Sequence, residues 1–515
     1  MSGFPSSTPP VRQSCRHPRS GSGRRPRTPT SSRRPDSLCG RRGTSALWDA
    51  RRRTSPAARR RYRPPRQPVR RSERRGAVCP WRPPRPAGGC FPPILRSALL
   101  AHLRAGEENG HYIGGMNLLV SREDVVAFRL RMHHLSERLG EGNLAEATGR
   151  CGVQDSPPGS ALLSLHARVQ GVSPAGVETA IGEDKTLLRT WCMRGSPHLV
   201  PTSEASVFTT GVLPVDEQGE RHLIGGVGWA LDRLGMSLTE AVQLIEAGVR
   251  EVLPGRWLAI TDLGEEVARQ VTPAFPAHLR IRWEEEGPYA QGQPLGEAVV
   301  HFCLRILALR QVVCFAPRTG NKAPFVLMEE WLDTPAPPLD PGQARAELLR
   351  RYLRSYGPST RAHFAAWLGV RVRDVGPWWE ELAGELVPVD YNGAAWLLEE
   401  DAAKLGEVAA ATGIRLLPPG DPYTQLRDRW SILDERLHRE VWRSAGSPGT
   451  VLLDGEIVGT WRHRSARGRM HLNIWTPEEL SGVQREALDT EAQLIASLRG
   501  AARVTVEFGR HGRPG

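Results

Sequence analysis

The sequence predicts an α+β chain of tandem winged-helix domains that ends in a small β-barrel-like domain. Three observations carry this. Residues 342–400 read as three helices followed by a hairpin, and residues 215–335 repeat that order more loosely. From about residue 412 the pattern turns to strands.

The chain opens on an extension of a different character. Residues 1–115 hold 26 Arg, no Lys and five acids, a net charge of +21. A stretch so rich in Arg, Pro, Ser and Gly cannot bury enough apolar surface to offset chain entropy, so disorder is expected. One reading is a basic arm on DNA phosphates. The preferred reading is a mis-called start. Arg without Lys is what GC-rich DNA yields when translated upstream of a true start, and Met116 stands directly before the first amphipathic segment. Residues 116–515 hold 43 basic and 51 acidic residues, a net of −8. They form a mildly acidic chain with local basic patches.

The first unit is expected over residues 116–210. Ser121, with Asp124 three residues on, opens a helix whose apolar face is Val125, Phe128, Met132, Leu135 and Leu139, with Gly140 as its end. Short helices follow at Leu144–Thr148 and Ala161–Val169, and the Leu187–Val200 run completes the unit. The second unit, residues 211–335, has helices near 239–252, 260–271 and 295–309. Its hairpin runs from Val312–Phe315 through Thr319-Gly320-Asn321 to Phe325–Leu327. After a linker at Pro335–Pro341 comes the third unit, residues 340–400. Ala346, Leu349, Tyr352 and Leu353 mark its first helix, Thr360–Leu368 and Val372–Leu382 the next two. Asn392-Gly393 is a strong two-residue hairpin turn between Leu386–Tyr391 and Ala394–Leu398. The second and third helices make the helix-turn-helix. In residues 410–515 the strand candidates are Thr450–Leu453, Glu456–Trp461, Met470–Trp475 and Arg503–Phe508, interrupted by a helix around Pro477–Leu498.

Two polar clusters stand out. Gln154-Asp155-Ser156 precedes Pro157-Pro158-Gly159, which forces a turn, so its side chains are offered from a loop. Arg194-Gly195-Ser196-Pro197-His198 follows the apolar Leu187, Leu188 and Trp191. A carboxamide can hold a water and a carboxylate can activate one. The competing reading is that Asp155 and Ser156 cap a helix beginning at Pro157 or Pro158. His198 is either site support or a satisfied core histidine. Arg194 either contacts phosphate or pairs with an acid.

Basic residues concentrate twice. Arg345, Arg350, Arg351, Arg354, Arg361, Arg371 and Arg373 have only Glu347 among them. Arg462, Arg464, Arg467 and Arg469, with His463 and His471, surround a hairpin tip with no acid. Phosphate contact is the functional reading of both.

These motifs resemble the AlkZ/YcaQ-like winged-helix DNA glycosylases. Arg189–His198 is similar to the family run Arg-Thr-Trp-x-Met-Arg-Gly-x-x-His, and Gln154 to the leading glutamine of Gln-x-Gln or Gln-x-Asp. The third position of that motif is Ser156, with Asp155 between. The resemblance runs from about Met116 to the C-terminus, with an echo in Asp454-Gly455 and Gly459-Thr460-Trp461-Arg462. It implies a monofunctional glycosylase that excises alkylated purines and unhooks crosslinks. Gln154 with Asp155 or Ser156 would position the water, His198 would support them, and Arg194, Arg361, Arg371, Arg373, Arg462, Arg464, Arg467 and Arg469 would contact DNA. Such a protein is expected to be a cytoplasmic, nucleoid-associated monomer on double-stranded DNA. No metal or nucleotide cofactor is expected: no Cys-x-x-Cys pair occurs after Met116, and the glycines lack a strand–helix phosphate context. No stretch nears the ~20 apolar residues of a membrane span. The rival readings are a non-catalytic winged-helix DNA-binding protein or transcriptional regulator, and a glycosylase-derived protein with altered lesion choice.

Overall fold

The computed structural model describes residues 118–320, 322–334, 337–405, 411–443 and 445–509. They lie within one compact unit, Asn109–Gly515. The expectations for the Arg-rich extension and for the start at Met116, Asn321 of the second hairpin turn and part of the linker at 335–336 fall outside the described residues. Among the described residues no helix is long and apolar enough to cross a membrane.

A five-stranded sheet organises the centre. Its strands follow the order Val153–Gln154, Pro197–Pro201, Leu187–Trp191, Val313–Phe315, Phe325–Leu327, every pair antiparallel. The hairpin Leu187–Pro201 and the hairpin Val313–Leu327 thus form one sheet, joined where Arg189 lies opposite Phe315. Aromatic packing closes the seam: Trp191 meets Phe315 and Phe325, with ring centroids 5.1 Å apart in each case. Beside this sheet, helices Leu238–Val252, Ile260–Val271 and Leu295–Leu309 bury a core of Val242, Ile245, Val249, Leu263, Val267 and Cys303. Ser237 and Glu240 cap the first of them reciprocally.

Residues 341–398 form helices Pro341–Tyr356, Arg361–Leu368 and Gly376–Glu381, then the antiparallel strands Leu386–Asp390 and Ala394–Leu398. The turn between the strands places Asn392 and Gly393 at φ 54° and 107°, as a two-residue hairpin of this type requires. Helix Arg122–Met132 packs Val125 and Phe128 against Val389, Tyr391 and Leu397 of this hairpin. Ser121 caps it by accepting from the Asp124 amide. The helix ends at Met132 rather than Gly140. His134 turns the chain at φ 54°, and Leu135 is buried in a different cluster from Phe128. The apolar period outlasts the helix because each segment finds its own surface to bury against.

The C-terminal segment is not barrel-like. Its five strands follow the order Arg503–Phe508, Arg469–Trp475, Glu456–Ala466, Gly449–Leu453, Ile414–Leu417, a linear order that leaves the sheet open. The last strand, Arg503–Phe508, adds in parallel to the edge instead of closing the sheet. Helix Gly482–Leu498 covers one face, setting Leu488, Ala492 and Ile495 on Leu416, Val451, Trp461, Met470, Leu472 and Ile474. Arg469, His471 and Asn473 alternate onto the solvated face, as in a one-sided sheet.

Two buried ion pairs tie distant segments together. Arg168, just after helix Ser160–His166, clamps Asp421 with both terminal nitrogens at 2.8 Å, and Ser164 Oγ donates to the same carboxylate at 2.7 Å. Arg129 pairs with Asp428 at 2.7 Å and donates to the carbonyls of Tyr356, Gly357 and Pro358. Removing one partner strands an uncompensated buried charge, at a cost of roughly 3–5 kcal/mol. Asp421→Ala should lower the urea-unfolding free energy by about that amount. Arg168→Met combined with Asp421→Leu should recover a large part of it. A loss under about 1 kcal/mol in the single variant, the range of a surface pair, would show that the pair is dispensable.

Candidate active site

The two polar clusters named by the sequence meet across the central sheet. Gln154 lies opposite His198, and His198 opposite Thr190, so the three side chains form a row on one face. Alternation along an extended backbone sends Asp155 to the other face, and the partners show it. Gln154 accepts from Arg194 Nη2 at 3.1 Å through Oε1 and donates through Nε2 to the Ser156 carbonyl at 3.0 Å. Asp155, 3% exposed, instead meets Arg189 Nε at 3.2 Å and Arg318 Nη2 at 3.0 Å through Oδ2. Its Oδ1 accepts from the Gly159 amide at 2.9 Å, at the entry to helix Ser160–His166. Asp155 thus ties its loop to the Gly159 amide and to two arginines, while the helix begins at Ser160 and not at Pro157 or Pro158, with Gly159 at its cap position and no side chain capping it. Ser156 serves Gln154 through its main chain.

His198 is buried, with Nδ1 2.8 Å from the Ser196 carbonyl. A carbonyl only accepts, so Nδ1 carries the proton and Nε2 keeps its lone pair. Burial, reinforced by the Arg194 charge, pushes its pKa down to about 3. The imidazole is neutral throughout the physiological range.

Arg194 does not reach outward to phosphate. It sits at φ 57° in the turn Met193–Gly195, and Nη1 donates to the Trp367 carbonyl. Arg427 donates to the neighbouring Ala366 carbonyl at 2.7 Å. Two cations thus share the carbonyl end of helix Arg361–Leu368, where the helix dipole favours positive charge. Burial and Arg427 lower the Arg194 pKa to about 10, which leaves it charged at neutral pH. Two glycines permit the close packing. A Cβ on Gly369 would come within 3.0 Å of the Arg194 backbone. One on Gly420 would lie 3.1 Å from both Gln154 Nε2 and the Ser156 carbonyl.

The basic patches divide. In the first, partners remote in sequence neutralise most of the charge: Arg350 pairs with Glu385, Arg351 with Glu204, and Arg354 with Glu400. Arg371 pairs with Asp374, and Arg361 lies over the Trp379 ring at 5.7 Å. Arg373 stays exposed. In the second, Arg464, Arg467 and Arg469 are exposed around the turn between Glu456–Ala466 and Arg469–Trp475. Arg462, half-buried, donates to the Gly446 carbonyl at 2.6 Å.

The sequence reading missed Arg168, Arg318, Gly420 and Asp421. Leu417-Pro418-Pro419-Gly420-Asp421-Pro422 was a visible turn signal. Its partner, the Gln154 loop, lies more than 250 residues earlier.

Comparison with known proteins gives this geometry its context. The chain is 29% identical over 404 residues to the interstrand DNA cross-link repair glycosylase of Streptomyces sahachiroi, covering 75% of this chain and 99% of the relative. The solved structure of Streptomyces sahachiroi DNA glycosylase AlkZ aligns with a TM-score of 0.60 at 25% identity, over 76% of this chain and all of the other. The protein is a DNA glycosylase. The family model described as DNA glycosylase AlkZ-like matches residues 148–498, and the chain belongs to that family.

Two expectations follow from the geometry. An unfolded chain takes up a proton on His198 near the ordinary value of 6.5, whereas the folded chain does not until about pH 3. The unfolded state then binds more protons over that window. Stability should fall as pH drops below 6.5, by about 1.4 kcal/mol per unit for this residue. His198→Gln should flatten the slope of unfolding free energy between pH 6 and 5 by close to one proton, measured by urea titration. An unchanged slope would mean that His198 titrates normally.

The second concerns the hairpin tip. Arg467→Ala and Arg469→Ala should each weaken duplex DNA binding regardless of sequence and reduce the salt slope by about one ion. Fluorescence anisotropy from 50 to 200 mM salt reads both. Unaltered affinity and slope would reduce the patch to a solvated face.

Proposed function

We propose that this DNA glycosylase hydrolyses the N-glycosidic bond of alkylated purines in double-stranded DNA, including purines joined in an interstrand crosslink, with Gln154 holding the attacking water. The Streptomyces sahachiroi relative is described as an interstrand cross-link repair glycosylase, which supports the crosslink half of the reading. The observation that carries the mechanism is the fixed carboxamide. Arg194 holds Gln154 Oε1 and the Ser156 carbonyl holds Nε2, so the orientation of the amide is set from both ends. Arg194 occupies one lone pair of Oε1 and leaves the other for a water proton.

An N7- or N3-alkylated purine is cationic and leaves as a neutral base. The C1′–N bond breaks with its electron pair going to the base, and the water oxygen adds to the oxocarbenium-like sugar as a proton departs to solvent. Little is asked of the protein beyond extruding the nucleotide and orienting that water. No lysine joins Gln154 among the described residues: Lys185 pairs with Asp333, Lys404 with Asp401, and Lys322 is exposed in the second hairpin loop. This favours water over a Schiff base. Asp155 acts from behind the sheet as a positioning residue that holds the loop carrying Gln154.

Single-turnover release of 7-methylguanine tests the assignment. Gln154→Ala should slow release by about 10²–10⁴-fold, with DNA affinity and melting temperature near wild type. Ser156→Ala should retain the rate, because the contact to Gln154 is through the main chain. Asp155→Asn should lower the melting temperature by leaving buried Arg189 short of its countercharge. Normal turnover in Gln154→Ala removes it from the mechanism, and a wild type inert on every alkylated or crosslinked substrate overturns the reading.

A further inference from the structure

An aromatic track leads from the surface to the loop that carries Arg194. Trp229 is 52% exposed, an unusual position for the largest side chain. Its ring stands edge-on to Tyr289 with centroids 6.5 Å apart, and Tyr289 stands edge-on to Phe302 at 5.0 Å. The Arg305 guanidinium then lies over Phe302 at 5.7 Å and over Trp191 of the central sheet at 5.9 Å. Arg305 Cδ is 3.5 Å from where a Cβ on Gly195 would sit, immediately after Arg194. The track is held in place. Tyr289 Oη donates to the Gly226 carbonyl at 2.7 Å, and Arg305 Nη1 to the Ile224 carbonyl at 3.0 Å.

We infer that Trp229, backed by Tyr289, is a stacking platform for the base left without a partner when the lesion nucleotide leaves the duplex. The inference rests on the proposed excision of a base from duplex DNA. Extrusion creates two unstacked bases. The lesion base must go to Gln154, where the water is held. The orphaned base keeps an apolar face that needs cover, and the exposed indole at the outer end of this track supplies it. Base–aromatic stacking is indifferent to base identity and is worth about 1–3 kcal/mol per base. Arg305 lies further in, over Phe302, the ring on which Tyr289 rests edge-on, and so supports the platform only through that ring.

The test uses the full protein and two duplexes, each with a tetrahydrofuran abasic analogue that cannot be excised. One carries 2-aminopurine opposite the analogue, the other several base pairs away. Wild type should quench the opposite 2-aminopurine and leave the distant one bright. Trp229→Ala should abolish the quench and weaken binding about tenfold, within the range expected for one stacked base. Trp229→Phe should restore most of both. The exposed position keeps these variants folded, which a melting curve checks. A full quench and wild-type affinity in Trp229→Ala overturn the platform, as does equal quenching of the distant probe or no binding of either duplex by wild type. No excision enters the readout. A protein inert on alkylated DNA that still quenches would refute the proposed reaction and leave the platform standing.

Discussion

The buried pair of Arg168 and Asp421 is the constraint on which the site depends. Arg168 follows the helix that starts at the end of the Gln154 loop, and Asp421 follows Gly420, which presses on Gln154 and the Ser156 carbonyl. The same carboxylate also accepts from Ser164 Oγ and the Tyr423 amide, so its lone pairs are well used. Removing two charges from water costs several kcal/mol each, and only bidentate geometry with added hydrogen bonds repays it. Net stability is thus a poor reason for the pair. Its consequence is registry: the Gly420 turn can dock on the Gln154 loop in one way. Glu491 of helix Gly482–Leu498 supports the same joint by taking Arg138 at 3.0 Å.

That joint explains how one strand serves two purposes. Residues 153–155 are extended, so consecutive side chains cannot share a target. The Gln154 face holds a carboxamide, an imidazole kept neutral by burial, and the charged Arg194 guanidinium bound to a helix end. The Asp155 face holds the countercharges, with Arg189 and Arg318 around one carboxylate. Burial lowers the Arg189 pKa, and Asp155 opposes that shift. On the proposed reading, the carboxamide held by Arg194 is the acceptor offered to the attacking water, and the Asp155 cluster holds its loop from behind the sheet. For a leaving group that already carries positive charge, positioning matters more than proton abstraction.

Local chemistry was legible in the sequence. Asn392-Gly393 announced its hairpin, Ser121 its helix start, and the turn at Arg467-Gly468 its basic tip. The support of Gln154 by His198 was implied by the family resemblance and not by spacing. What could not be read depends on pairs remote along the chain. The arginines from 345 to 373 looked uncompensated because Glu204, Glu385 and Glu400 lie outside that window. Helix Arg122–Met132 was assigned by its period, yet a turn at His134 redirects that period into another core. The barrel-like expectation failed on edge pairing, since alternation in Met470–Ile474 shows a half-covered sheet and not whether the sheet closes. The two readings of Asp155 stayed open for a related reason: adjacency in a motif says nothing about which face a strand presents.

The charge balance acquires a physical meaning from these placements. Residues 116–515 carry a net charge of −8, which would oppose a polyanion if the charge were spread evenly. It is not. Most arginines near the site are consumed internally, at Asp155, Asp421, Asp428 or helix carbonyls, and add little to the outer field. Arg464, Arg467 and Arg469 project from one strand turn, and no salt bridge engages them among the described residues. At physiological salt, potentials fade over about 8 Å. A phosphate placed at that tip would therefore sense these three arginines more strongly than the acids beyond that length. On the proposed reading, affinity comes from this small exposed element, while the buried arginines hold the site's loops in place.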